Sequence, residues 1–336
     1  MTDSGELVAL ATPSSGEWDA FVGSAVNGTV FATRRFLSYH REGRWEWDHA
    51  AVGGRDGFHA LWPAAAGPTA PDPRAASGAR RTWWSGAGAS FGGPVLRAGV
   101  DEAVARKAVR AILAEGAARG YRALRTTPPP PIYEAAGRGI ARAALLAEGF
   151  RPVAAEVFEA AALAGREPTD LLDGPARRGV ARAEREGVLV HLADPGDREA
   201  YTAFHALLTA DRALLGLAPT HTAEELLRLA GLLGEEQALL LAERGDDLVA
   251  GSWLLAANER VGLSFYLCQD REERRLRATN LLMLRALEWA KERGLDHLDF
   301  GTSSRGGVVN AGLSEFKRAH GGAPFSRETF ARDLDA

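Results

Sequence analysis

The residues Ala118-Arg119-Gly120-Tyr121-Arg122-Ala123-Leu124-Arg125 return loosely as Glu292-Arg293-Gly294-Leu295-Asp296-His297-Leu298-Asp299, 174 positions further along a chain of 336. A long amphipathic pattern precedes each copy, Asp101 to Arg119 and then Asn280 to Arg293. In both places it stops at a glycine suited to a left-handed C-cap, and a short apolar strand follows. One helix-glycine-strand unit therefore stands in each half. An offset near half the chain length predicts that a single α/β domain has been duplicated.

Strand patterns fall at Trp45 to Val52, Gly57 to Trp62, Arg151 to Leu163, Val188 to Leu192, Ala238 to Glu243, Leu248 to Ala256 and Val261 to Leu267. The pair Leu248 to Ala256 and Val261 to Leu267 reads as a hairpin through Asn258 and Glu259. Further helices are predicted at Gly16 to Asn27, Arg34 to Arg41, Ala176 to Glu186, Arg198 to Leu214 and Ala223 to Leu233. The second half thus runs helix, strand, two helices, three antiparallel strands, helix, strand, helix. This is an α+β sandwich with mixed sheets, in which hairpins replace many crossovers. Ala64 to Arg80 and Thr127 to Pro131 are rich in residues that break helices and central strands, and read as loops. A third break at Ala164 to Pro168 separates an expected domain at 1–165 from another at 166–336.

The balance of charge is mildly acidic, −4 at neutral pH, which argues against a dedicated nucleic-acid-binding protein but permits a local basic patch for tRNA. A single cysteine, Cys268, excludes an intramolecular disulfide and a zinc site built on thiols. No basic segment followed by an apolar one opens the chain, and no apolar run approaches the roughly 18 residues of a membrane span. A cytoplasmic protein without membrane association is expected. Metal-ligand spacings, phosphate-binding glycine loops, nucleophile elbows and dinucleotide fingerprints are all missing from the sequence.

Three motifs in the second half resemble the FemAB-like branch of the GNAT superfamily, the non-ribosomal peptidyl and aminoacyl transferases. They are the basic helix from Leu171 to Val188, the helix opening Asn280-Leu281-Leu282 and running on to Leu298-Asp299-Phe300-Gly301, and Gly312-Leu313-Ser314-Glu315-Phe316-Lys317-Arg318-Ala319-His320-Gly321-Gly322. The first half is similar less sharply, through Gly28 to Phe36 and Phe91-Gly92-Gly93-Pro94-Val95. The resemblance implies two tandem GNAT-like domains facing across a cleft, with the acceptor on the N-terminal side and the acyl donor on the C-terminal side. Departures weigh against a muropeptide acceptor: His40 stands where cell-wall members carry a lysine, and Arg97 where an acidic residue can follow the Gly-Pro element.

Transfer of an acyl group to an amine needs a neutral amine, proximity, and stabilisation of the carbonyl oxygen as it gains charge. By the resemblance, Lys317 after Phe316 is the cation at the donor end; a solvated surface lysine is the bland alternative. Asp299, at the end of a strand, either orients substrate or caps the loop after it. Gly301, Ser303 and Arg305 belong to a small polar loop able to approach a ligand. Trp253 and Tyr266 are candidates to line the acyl site, with core packing as the alternative. His40 and His320 are candidates for proton transfer.

Arg271, Arg274, Arg275 and Arg277 precede the helix that opens near Asn280, and guanidinium groups beside a helix N-terminus suit a phosphate. The loop lacks the glycine usual in a GNAT cofactor loop, which disfavours acyl-CoA. Arg177, Arg178, Arg182 and Arg185 share one helix side and offer a strip to an RNA backbone, although Glu184 and Glu186 interleave. The leading reading is an aminoacyltransferase that takes its group from aminoacyl-tRNA, forms an amide on a small molecule or peptide, and has no tightly bound cofactor and no metal. An acyl-CoA-dependent N-acyltransferase and a catalytically silent GNAT-like binding protein are the alternatives. Lys317→Met is expected to lower turnover and leave folding intact.

Overall fold

The computed structural model describes residues 6–67, 82–135 and 137–334. The chain divides into two compact units, Met1–Glu156 with Ser326–Ala336, and Val157–Phe325. The division falls earlier than the break expected at 165/166, inside a strand. What reads as a linker around Gly165 is a tight turn, where the Arg166 amide donates to Leu163 O.

The first unit contains β1 (Val8–Leu10), α1 (Ser15–Ser24), α2 (Arg34–Leu37), β2 (Glu46–Trp47), β3 (Ala50–Gly54), β4 (Gly57–Trp62), β5 (Ala64–Ala66), β6 (Thr82–Ser85), β7 (Val95–Leu96), α3 (Glu102–Ala118), β8 (Ala123–Thr126) and α4 (Ile140–Ala147). Four strands pair in the order β1-β3-β4-β7, and a second set in the order β8-β6-β5-β2. Ala64–Ala66 is therefore a strand paired on both sides, where the sequence suggested a loop. Its three alanines are buried, and pairing with β2 and β6 outweighs weak strand propensity. The rest of that expected loop, 68–81, lies outside the described residues. Trp62, Trp83, Ile112, Leu124, Leu145 and Phe330 centre the core.

The second unit takes up the chain within β9 (Arg151–Ala162) and continues through α5 (Pro168–Leu171), α6 (Gly174–Arg185), β10 (Val188–Ala193), α7 (Arg198–Ala213), α8 (Ala223–Leu233), β11 (Gln237–Arg244), β12 (Asp247–Ala256), β13 (Val261–Gln269), α9 (Ala278–Glu292), β14 (His297–Thr302), β15 (Ser304–Arg305), β16 (Val308–Val309) and α10 (Ala311–Ala319). Its strand order is β10-β11-β12-β13-β14-β9. Neighbours are antiparallel except for β13 and β14. Helix α9 is buried almost all round, from Leu281 to Ala290, because it packs on the sheet and against α6. At their contact Gly179 leaves room for Asn280: a Cβ there would stand 2.6 Å from the Asn280 Cγ.

A strand absent from the sequence reading, β17 (Gly322–Asp333), closes the chain and returns it to the first unit, where it pairs with β8. Only Phe330 of it is buried, so alternation gives almost no signal. Backbone pairing and the Arg142–Glu328 ion pair hold it instead.

The repeated sequence unit has the same local structure in each half. After α3, Gly120 adopts φ +77, its amide donates to Ala117 O, and the Tyr121 amide reaches back to Gly116 O. After α9, Gly294 adopts φ +69, its amide donates to Lys291 O, and the Leu295 amide reaches back to Ala290 O. Both are Schellman caps with a left-handed glycine. Each helix lies in the connection between two parallel strands, β6 and β8 in one unit, with β7 also intervening, and β13 and β14 in the other.

Candidate active site

Strand β14 pairs in parallel with β13 only from Val261↔His297 to Leu263↔Asp299. Beyond that point β13 runs on to Gln269 and β14 to Thr302 without pairing to each other. On its other side β14 pairs with β9 as Asp299↔Ala160 and then Thr302↔Phe158, a shift that marks a bulge. Gly301 supplies the bulge's left-handed residue at φ +75. The buried Asp299 carboxylate accepts the Gly301 amide at 2.6 Å and fixes the turn.

The bulge turns two consecutive carbonyls toward α10. Asn310 caps that helix by accepting the Leu313 amide, and its buried face carries Ser314 and Lys317, three residues apart. Lys317 is 5% exposed, which removes the reading of a solvated lysine. Its ammonium donates to Gly301 O at 2.6 Å and to Thr302 O at 2.9 Å. The third N–H has no hydrogen-bond partner among the described residues. Burial pushes the Lys317 pKa down to about 8, although the Glu159 and Asp299 carboxylates pull it up.

Glu159, on β9, is completely buried, with Oε2 at 4.0 Å from the Lys317 Nζ. Ser314 donates to its Oε1 at 2.5 Å and Ser303 to its Oε2. Four residues from three segments thus form one buried polar cluster. Neither Glu159 nor Ser314 was singled out in the sequence. The available signals were a glutamate inside the apolar run Val157-Phe158-Glu159-Ala160-Ala161 and the scarcity of lysine, since only three of the forty basic residues are Lys. A compact ammonium whose pKa shifts on burial is what arginine cannot supply.

Several expected site residues sit elsewhere. Trp253 is fully buried and donates from Nε1 to Gln237 Oε1 at 2.7 Å, a core role and not an acyl-site wall. Tyr266 is half-buried on β13, where that strand still pairs with β12 but no longer with β14, its hydroxyl 2.6 Å from Thr220 Oγ1 and 2.7 Å from His221 Nδ1. Phe316 is half-buried, packs against the core and lies 4.6 Å from the His320 ring. His320 is fully buried, donates from Nδ1 to Phe316 O, and is held neutral chiefly by burial. In the first unit His40 is buried 4.0 Å from Tyr39, with Nε2 2.9 Å from Gly88 O, and it presents no open edge to a substrate. Ser303 belongs to the Glu159 cluster, and Arg305 is exposed on the β15–β16 hairpin.

Arg274, Arg275 and Arg277 are exposed before α9. Asn280 is not available beside them, since it is buried against Gly179. Arg277 takes φ +63, which no other non-glycine shows among the described residues. The loop, which lacks the glycine usual in a GNAT cofactor loop, thus still takes a left-handed turn, at Arg277. Arg177, Arg178 and Arg182 lie on the exposed side of α6, where Arg182 is 3.8 Å from Glu186. Among the described residues no cluster of three or more His, Cys, Asp or Glu side chains could hold a metal ion, and no helix is long and apolar enough to cross a membrane.

Residues 175–318 match the family model described as an acetyltransferase (GNAT) domain. No curated protein matches the chain in sequence. Among solved structures, FemX is similar with a TM-score of 0.71 at 16% identity, covering 96% of this chain and 97% of that one. L-PGS from Bacillus licheniformis follows with a TM-score of 0.56 at 16% identity, over 95% of this chain and 91% of that one. A tandem GNAT protein from the clavulanic acid biosynthesis pathway has a TM-score of 0.54 at 15% identity, over 98% of both chains. Residues 175–318, which run from within α6 through β13, α9 and β14 to Lys317, are thus similar to a GNAT acetyltransferase domain, and the fold of the chain is similar along its length to that of FemX.

Proposed function

We propose that the chain is a FemAB-like aminoacyltransferase, which moves an aminoacyl group from aminoacyl-tRNA to an amine of a small molecule or peptide. The observation that carries this reading is the buried Lys317 ammonium, fixed by two backbone carbonyls with one N–H to spare. That N–H would meet the carbonyl oxygen of the donor ester as the amine attacks, where charge develops in a water-poor site. The new C–N bond forms, the ester C–O bond breaks, the amine gives up a proton and the departing ribose oxygen gains one. No covalent enzyme intermediate is needed. Likeness in fold to FemX and to a lysylphosphatidylglycerol synthetase supports an aminoacyl donor. The exposed arginines before α9 and on α6 are suited to its phosphates. The C-terminal unit is assigned the donor and the N-terminal unit the acceptor.

A second reading, acyl-CoA as donor, is favoured by the Arg277 backbone, which keeps a turn able to present amides to a pyrophosphate. Purified protein is incubated with labelled aminoacyl-tRNAs and, separately, with acyl-CoAs, each with a panel of amines, with and without RNase. RNase-sensitive transfer of label is the expected result. Release of CoA would establish the second reading, and no transfer from either donor would leave a binding protein.

A further inference from the structure

We propose that Glu159 is a positioning residue, which keeps the Lys317 ammonium charged and aimed from within the protein. The inference rests on the reading of Lys317 as the working cation. It begins from a problem of solvation: an ammonium that is 5% exposed loses most of its hydration, and two neutral carbonyls replace only part of it. A buried carboxylate at 4.0 Å supplies the missing opposite charge. Glu159 is itself shaped for that task, because both of its oxygens accept from seryl hydroxyls, Ser303 at one and Ser314 at the other.

The geometry separates holding from neutralising. At 4.0 Å the carboxylate attracts the ammonium without taking its N–H, so the third donor is left for a ligand. A closer carboxylate would consume it. The other groups facing Lys317 are few. Asp299, from β14, also favours the charged form, but its Oδ1 is engaged by the Gly301 amide. On α10 itself His320 is neutral and Arg318 is exposed, and Asp173, before α6, acts on His320.

The test needs no substrate. The chain has three lysines, Lys107, Lys291 and Lys317, so 13C-labelled lysine gives three resolvable signals, with Lys317 assigned by its loss in Lys317→Arg. In Glu159→Gln the Lys317 midpoint is expected to fall by about one pH unit or more, roughly tenfold in its acid constant. The Lys107 and Lys291 midpoints stay in place. Should Glu159→Gln fail to fold, Glu159→Asp keeps the charge but withdraws it by one methylene, and a smaller fall is expected. An unmoved Lys317 midpoint in either folded variant overturns the proposal. In the transfer assay, Glu159→Gln is expected to lose kcat and not KM, and to recover part of it at lower pH, where Lys317 regains its proton. Loss of kcat with no recovery on acidification would assign Glu159 a structural role only. A shifted titration in a protein that transfers nothing would keep the Glu159–Lys317 relationship and remove the aminoacyltransferase reading.

Discussion

The Lys317 ammonium and the Glu159 carboxylate lie 4.0 Å apart with both side chains buried, so neither charge can be removed alone without stranding the other. Truncating one member of a buried pair typically costs about 3–5 kcal/mol. Lys317→Met is therefore expected to destabilise the protein by an amount near the lower end of that range, because Ser303 and Ser314 still serve the carboxylate. This replaces the sequence-based expectation that folding would be untouched. The double variant Lys317→Met with Glu159→Gln should cost clearly less than the sum of the singles. Urea unfolding of the four proteins measures the difference, and additivity would mean that the two groups do not interact.

Turnover and stability should respond to the titration of Lys317 in opposite senses. The folded pKa is near 8 and the ordinary one 10.5. Between those values the unfolded chain holds a proton that the folded one has released, so this group's contribution to stability rises with pH across the interval. A working ammonium, by contrast, is lost as pH climbs through about 8. Turnover should fall along its alkaline limb while the Lys317-dependent part of stability grows. The paired measurements are a pH–rate profile and melts of wild type against Lys317→Met over the same range. A rate that keeps climbing past pH 9 would take the charged form out of the mechanism.

Much of the second unit was legible because its signals are local. The hairpin of β12 and β13, the glycine after α9, and the Phe316-Lys317 pair each declare themselves within a few residues. What stayed hidden depends on pairing across the chain. The strand Gly322–Asp333 has little alternation and is defined by backbone bonds to β8. Glu159 acquires meaning only when Ser303, just past the bulge, and Ser314, on a helix, arrive beside it from 144 and 155 residues away along the chain. Trp253 misled for the converse reason: a large aromatic on a strand is compatible with a ligand wall, and only its bond to Gln237 fixes it as core.

The paired Schellman caps offer a control on the duplication. A Cβ added at Gly120 or Gly294 would meet nothing within 4 Å, so alanine at either place suffers only from the left-handed backbone. Gly120→Ala and Gly294→Ala should each cost about 1 kcal/mol, and by similar amounts. Unequal losses in chemical denaturation would show that one cap carries more than local conformation.

Arg277 presents the reverse case, a bulky residue at φ +63 just before α9. Such a backbone is strained by about 1–2 kcal/mol for any residue with a Cβ. Glycine would relieve that strain but also loosen the unfolded chain by up to about 1 kcal/mol. Arg277→Gly is thus expected to leave the folded state equal or more stable by as much as ~1 kcal/mol, while Arg277→Ala, which keeps the strain, changes little. Both variants remove the same exposed guanidinium. If it binds donor phosphate, both should raise the donor KM alike, and only glycine should raise the melting temperature. Calorimetry together with donor titration separates the two effects. A lower melting temperature for Arg277→Gly would mean that the guanidinium itself stabilises the turn.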